Sequence, residues 1–184
     1  AEAEISESVS LENGSVFVAA SEVALRCLLL PVLKQYHELY PKIHIRISNH
    51  STPQAIDALK CGTADFAVVT TPTVHSASLT ETNIKPISEV AVCSPGFSSL
   101  KGKKISLAVL QNYPLISLGS DTKSFEFYSK LFADFGCIYN PIIEAFTADQ
   151  ILPIVEAGLG IGFVPCDFIR PHDNVMVIDL VESI

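Results

Sequence analysis

Residues 16–71 read VFVAASEVALRCLLLPVLKQYHELYPKIHIRISNHSTPQAIDALKCGTADFAVVTT. Val16 to Ala20 is short and almost wholly apolar, the pattern of a strand buried on both faces of a parallel sheet. Ser21 is placed to cap a helix, with Glu22 in the first turn beside its positive end. Leu25, Leu28, Leu29, Val32, Leu33, Tyr36 and Leu39 recur at helical spacing, and Pro31 is expected to kink or restart that helix because it lacks an N–H donor. Ile43 to Ser48 alternates as a strand does. Thr52-Pro53 opens a second helix that Gly62 ends, and Asp65 to Thr70 is the third strand. Each strand finishes in a small hydroxyl residue, Ser21, Ser51 or Thr70, and three such ends side by side make a polar crevice.

The remainder repeats the pattern. Residues 72–83 are polar and Thr-rich, a surface loop, and Ile84 to Ser94 is an extended segment leaving the first lobe. Pro95-Gly96 marks a turn, and a helix around Ser106 to Gln111 follows. Pro114 to Leu118 is then a strand, Lys123 to Phe135 a helix with Phe127, Leu131 and Phe135 on one face, and Pro141 to Phe146 a strand. Ala148 to Ala157 is a helix, Gly160 to Val164 a strand and Val175 to Leu180 a last strand. Alternation of this kind implies parallel sheets with right-handed crossovers. The expected fold is α/β, two Rossmann-like lobes with an interlobe cleft. Its expected divisions are 1–14 as the end of a linker, 15–88 as lobe I, 89–168 as lobe II, and 169–184 as a truncated return toward lobe I.

Composition narrows the function. The 184 residues are 48% hydrophobic and 17% charged, which argues for a packed globule rather than a disordered chain. A formal net charge of −8 with dispersed Lys and Arg makes this stretch a poor partner for nucleic acid. Five cysteines, an odd number without a C-x-x-C pair, read as reduced intracellular thiols rather than a disulfide framework or zinc site. No basic apolar leader and no 18-residue apolar run point to export or a membrane span.

The local motifs are mostly exclusions. Ala157-Gly158-Leu159-Gly160-Ile161-Gly162 lacks the G-x-G-x-x-G spacing, and a helix precedes it where a dinucleotide site needs a strand; it reads as a helix stop and a tight turn. The five histidines are dispersed, which argues against a metal site. His50 alone sits where a strand meets a helix and can touch a ligand, although a solvated loop histidine is the plainer reading. For Ser21, Ser51, Thr70, Ser117 and Thr147 the plainer reading is capping or turn chemistry. All five, however, fall at the carboxyl ends of strands, where open α/β sheets bind ligands and helix N-termini favour an anionic group such as a carboxylate. No nucleophile with a positioned base can be assembled, so the expectation is a binding cleft, with no catalytic residues and no cofactor.

At this point the chain resembles the effector-binding domain of LysR-type transcriptional regulators. The resemblance covers Ser15 to Leu180: Ala20-Ser21 before a helix carrying LLLPVL, then YPKIHIRI, then Asp57 to Val69, and ADQILPIVEAGLGIGFVP from Ala148 to Pro165. It implies a type 2 periplasmic-binding-protein-like pair of lobes with a small-molecule inducer between them, held by Ser21, Ser51 and Thr70 from one lobe and Ser117 and Thr147 from the other. It implies a cytoplasmic protein that self-associates as a dimer or higher oligomer, Glu22 to Tyr40 of one copy packing on Lys123 to Phe135 of the next. DNA would be met only by a winged helix-turn-helix that this sequence does not contain, the acidic Ala-rich start being the tail of its linker. The spacing of Cys137 and Cys166 does not match the reactive pair of the peroxide-sensing subgroup. The competing expectation is an extracytoplasmic solute-binding protein of the same fold.

Overall fold

The computed structural model describes residues 14–74 and 76–184. The expected linker segment 1–14 therefore lies outside the described residues, apart from Gly14. The chain divides into two compact units, one up to Ile84 and one from Lys85.

In the first unit, β1 (Gly14–Ala20) lies between β2 (Ile43–Asn49) and β3 (Phe66–Val68), all parallel. The short, small-residue end of β1 is covered on both sides. Val18 and Ala20 pack with Leu29, and Ala19 packs with Ala55 and Ala64. Asp65 locks β3 to β1 twice, its N–H donating to Phe17 O at 2.8 Å and its carboxylate accepting from Phe17 N–H at 2.9 Å. β3 is shorter than the expected Asp65–Thr70.

The first long helix is not continuous. It runs as α1 (Glu22–Ala24), a π turn (Leu25–Leu29) and α2 (Leu30–Leu39). Leu30 N–H reaches back five residues to Leu25 O immediately before Pro31. The wide turn takes the place of the kink that proline would otherwise force, since Pro31 has neither a donor for Cys27 O nor room for that carbonyl. The extra residue in the turn also rotates everything after it by roughly one position. Leu33, with Leu25 before the turn, packs on the core, whereas Val32 is 51% and Leu39 73% exposed. Simple helical spacing placed Val32 on the buried side. α3 (Thr52–Lys60) completes the unit, with Gly62 left-handed just beyond it.

The second unit holds a six-stranded sheet in the order β5 (Lys104–Ile105), β9 (Met176–Leu180), β4 (Glu89–Cys93), β8 (Ile161–Pro165), β6 (Leu115–Leu118), β7 (Ile143–Ala145). Only β4 runs against its neighbours. Residues 169–184, expected to turn back toward the first lobe, carry β9 into this second sheet, between β5 and β4, where Ala91 faces Ile178. Apolar residues at Met176 and Ile178 fit that place. Likewise the unit boundary falls at Ile84–Lys85 rather than after residue 88. The sequence pattern missed β5, which is only two residues long.

A helix covers each face of the second sheet. α4 (Leu107–Leu110) is short and fully apolar inward. α5 (Lys123–Asp134) buries Tyr128 and Phe132 against Phe163 and Ala91, with Tyr139 at 5.0 Å from Phe132 between ring centres. The face singled out from the sequence, Phe127, Leu131 and Phe135, is mostly the outer one. Phe127 and Phe135 are exposed and Leu131 is half-buried, because α5 carries aromatics on two adjacent lines and the line through Tyr128 and Phe132 wins the core. α6 (Ala148–Glu156) lies on the opposite face, over Gly162 and Ile116.

The glycine run after α6 is structural, as the sequence suggests. Gly158 takes φ +78° and ends the helix. A Cβ at Gly160 would sit 2.5 Å from Pro114 O, and one at Gly162 would sit 2.5 Å from Ile151 Cγ2. Gly160 thus lets two backbones meet, and Ile161 N–H donates to that same Pro114 O at 2.8 Å. Gly160→Ala should destabilise the chain by about 1–3 kcal/mol, with Gly162→Ala similar or milder because its obstacle is side chain. Gly96→Ala, whose Cβ meets nothing closer than Ser94 Oγ at 3.4 Å, is the control and should change stability little in urea titrations.

Candidate functional site

The site is built from what happens where parallel strands stop. In the first unit Ser21 follows β1; its N–H donates to Val68 O at 3.0 Å, tying it to β3, while His50 N–H donates to Ala20 O at 3.0 Å, tying the end of β2 to β1. The Ser21 hydroxyl is buried and accepts from Ala24 N–H at 3.2 Å. Ser51 is exposed and forms a capping box at the head of α3, Gln54 Oε1 accepting from Ser51 N–H at 3.0 Å. Thr52 Oγ1 donates to Thr70 O at 3.4 Å, and Asn49 Nδ2 to Glu22 Oε2 at 3.0 Å. Ser21, His50, Ser51 and Thr70 therefore gather at one end of the three-stranded sheet. Pro53 has no N–H, so the first turn of α3 presents mainly the Thr52 amide.

The second unit repeats the device. Thr147 follows β7 and caps α6 in a second capping box, Gln150 Oε1 accepting from Phe146 N–H at 2.9 Å and Thr147 N–H at 3.3 Å. Ser117 lies on the neighbouring β6, one position before its end. The plain capping role thus holds for Ser21, Ser51 and Thr147, and it fixes their hydroxyls at strand ends. Ser117 does not cap; its side chain is 4% exposed and within hydrogen-bonding reach of Tyr139.

Sequence reasoning missed three residues here. Glu89 opens β4 opposite Pro165 at the end of β8, and because β4 runs backwards its first residue lies at the carboxyl ends of β6 and β8. Burial pushes the Glu89 carboxyl up to about 7. Tyr139 is pushed up to about 12, chiefly by burial, against the Ser117 hydrogen bond and with help from the Glu89 charge. Tyr128 stacks on Phe163 at 4.5 Å, and its buried hydroxyl finds no hydrogen-bond partner among the described residues. A charged residue at the head of the apolar run EVAVC was the available signal for Glu89; the S/T-x-x-Q pattern at Ser51 and Thr147 was the signal for the paired capping boxes.

The five cysteines form no disulfide; Cys27, Cys93 and Cys137 are buried, and burial raises the Cys93 thiol. Among the described residues no helix is long and apolar enough to cross a membrane.

Glu89 makes stability depend on pH with a definite sign. Its folded-state value near 7 exceeds the ordinary 4.5, so the folded chain holds a proton that the unfolded chain has released. Stability should fall as pH rises from about 4.5 to about 7, by about 3 kcal/mol, and level off above. Glu89→Gln should remove that slope, which denaturant titrations between about pH 5 and about pH 8 will read directly.

Comparison with known proteins agrees with this architecture. Residues 10–184 match the family model described as the LysR substrate binding domain. Among curated relatives, the HTH-type transcriptional regulator SsuR of Burkholderia cenocepacia is 24% identical over 169 residues, 92% of this chain and 55% of its own length. The regulator CysB of Haemophilus influenzae is 25% identical over 152 residues, 83% of this chain and 47% of its own. The chain spans about half the length of the curated relatives it matches. Among solved structures, the Synechocystis PCC6803 CcmR regulatory domain in complex with 2-PG aligns with a TM-score of 0.76 at 14% identity, covering 93% of this chain and 83% of that one. The BenM effector binding domain with its effector benzoate aligns with a TM-score of 0.75 at 20% identity, covering 92% and 78%. The fold is the periplasmic-binding-protein-like one of LysR effector domains. The chain belongs to the LysR substrate binding domain family.

Proposed function

We propose that this chain is the small-molecule-sensing domain of a transcription regulator, and that its effector is held at the strand ends carrying Ser21, His50, Ser51 and Thr70 in the first unit and Ser117 and Thr147 in the second. The observation that carries this reading is the repeated capping box. Two helices of nine residues begin at strand ends with an ordered hydroxyl and first-turn amides, an arrangement that suits a carboxylate or similar anion. The named relatives are transcriptional regulators, and the BenM domain was solved with benzoate, a carboxylate.

A net charge of −8 makes this chain a poor partner for DNA, so in this reading contact with DNA falls to a segment outside this sequence. The sensor acts by differential affinity: an effector that binds one arrangement of the units better than another shifts the population toward it. Self-association of copies is the proposed route by which that shift travels. Leu30, Val32 and Leu39 on α2, Phe127 on α5 and Phe135 at its C-cap leave apolar side chains exposed, the kind of surface that a second copy covers. The cytoplasm is the proposed compartment, given five thiols and no disulfide.

Thermal-shift screening against small carboxylic acids tests the sensor reading. A ligand at a hundred times its Kd should add about 2.7 kcal/mol. Ser51→Ala and Thr147→Ala should each reduce that gain while leaving the unliganded chain folded. In the full-length regulator the same variants should keep DNA binding and lose its response to effector. Acid binding that is indifferent to both substitutions contradicts the proposed site.

A further inference from the structure

The π turn between α1 and α2 sets which side of α2 meets the first sheet. Counted through as a plain helix, the chain offers the sheet Leu25, Leu28, Val32 and Leu39, the spacing of 3.6 residues per turn. The line that is seated lies one residue further on. Leu29 is buried and Leu33, Tyr36 and Tyr40 are half-buried, at steps i, i+4, i+7 and i+11. Leu28, Val32, Gln35 and Leu39 make the same steps displaced by one residue. Leu28 is half-buried, and Val32, Gln35 and Leu39 are exposed. α2 thus carries two neighbouring lines, mostly apolar, separated by about 100° around its axis.

α2 is held loosely and α1 firmly. None of the ten residues of α2 is buried, and Leu33 is its contact with the core cluster of Val18, Ala20 and Leu29. α1, by contrast, is fixed at the strand ends. Ser21 Oγ accepts from Ala24 N–H at 3.2 Å, Ser21 O accepts from Leu25 N–H at 2.8 Å, and Glu22 Oε2 accepts from Asn49 Nδ2 at 3.0 Å. A change of register in the turn therefore falls on α2 and leaves α1 in place. Two opposed costs set that register. The plain helix lacks an N–H at Pro31 for Cys27 O, and the wide turn replaces a regular reach of four residues with the five from Leu30 N–H to Leu25 O.

We propose that the π turn is a register joint: α2 has a second seated state, turned by about one residue, in which Leu28, Val32 and Leu39 face the sheet and Leu33, Tyr36 and Tyr40 face solvent. The exchange replaces an aliphatic outer face with one that carries two phenols, so the first unit changes what it presents without rebuilding its sheet. The turn starts four residues after Ser21, so a group bound at that strand end reaches the joint through α1. The two states follow from helix geometry alone, and a ligand screen that finds nothing leaves them standing.

The chain contains no tryptophan, so Leu39→Trp supplies a sole indole, exposed in the present register and, in the second, at the spot that Tyr40 now fills. All measurements are made at a concentration where the chain is monomeric. In the Leu39→Trp background, Pro31→Ala restores the N–H that the plain helix needs; emission should shift to the blue and the acrylamide quenching constant should fall by about half or more. Adding Val32→Lys, a charge that cannot seat on the sheet, should restore the original quenching. On the wild-type chain, NMR relaxation dispersion should show exchange across residues 26–36 that Val32→Lys removes, a result that holds even where Pro31→Ala fails to fold. Quenching unchanged by Pro31→Ala in the folded chain, a change that survives Val32→Lys, or no exchange across the turn in wild type overturns the proposal.

Discussion

Four parallel strands of the described residues, β1, β2, β6 and β7, end with the same problem: the strand gives way to a helix whose first amides have no partner within it. The solution is repeated. At the ends of β2 and β7 a hydroxyl residue caps the helix and a glutamine three residues on reaches back to the cap. Around each capping box the neighbouring strand ends are tied together, Ser21 to Val68 and His50 to Ala20 in the first unit. The polar groups are thereby fixed by the backbone of the core rather than by loose loops, which limits the entropy a ligand must remove on binding. Capping and ligand contact do not exclude each other, because a capping hydroxyl keeps lone-pair capacity and the first amides of the helix remain outward.

The second dependence is close packing. Gly160 and Gly162 let α6 and Pro114 approach the sheet, and this approach sets where Thr147 stands at the head of the same helix. On the other face the aromatic group of Tyr128, Phe132, Tyr139 and Phe163 carries α5 and also brings the Tyr139 phenol within electrostatic reach of Glu89. One packing decision therefore supplies both the core and this polar contact. Glu89 is the local inconsistency, a carboxyl in an otherwise apolar strand, and such inconsistencies are where function is sought first.

Most of this architecture was legible in the sequence, for identifiable reasons. Val16–Ala20 and Ile161–Pro165 are unbroken apolar runs of strand length, and the helix stops at Gly62, Gly136 and Gly158 are marked by glycine. What was not legible followed from tertiary context. Periodicity assumes 3.6 residues per turn, so it could not register the π turn at Leu25–Leu29 and put Val32 on the wrong side. Likewise α5 offers two aromatic lines of equal appeal, and only the position of Phe163 decides for Tyr128 and Phe132. The destination of β9 depends on strand pairing between residues more than 80 apart, which no local pattern encodes. Of the candidate site, the hydroxyls at strand ends were visible; Glu89, Tyr128 and Tyr139 were not, because their polarity becomes unusual only once they are buried.

The central proposal is that ligand binds at these strand ends. Backbone amide shifts in solution NMR, followed through titration with a compound that raises the melting temperature, test it most directly. The account predicts that the largest shifts fall on residues 20–24, 49–54, 89–91, 117–119 and 146–150, with the outer face of α5 at Phe127 and Phe135 unmoved at a concentration where the chain stays monomeric. Shifts centred on that outer face, or on the far ends of the strands near Gly14, Ile43 and Ile161, would contradict it.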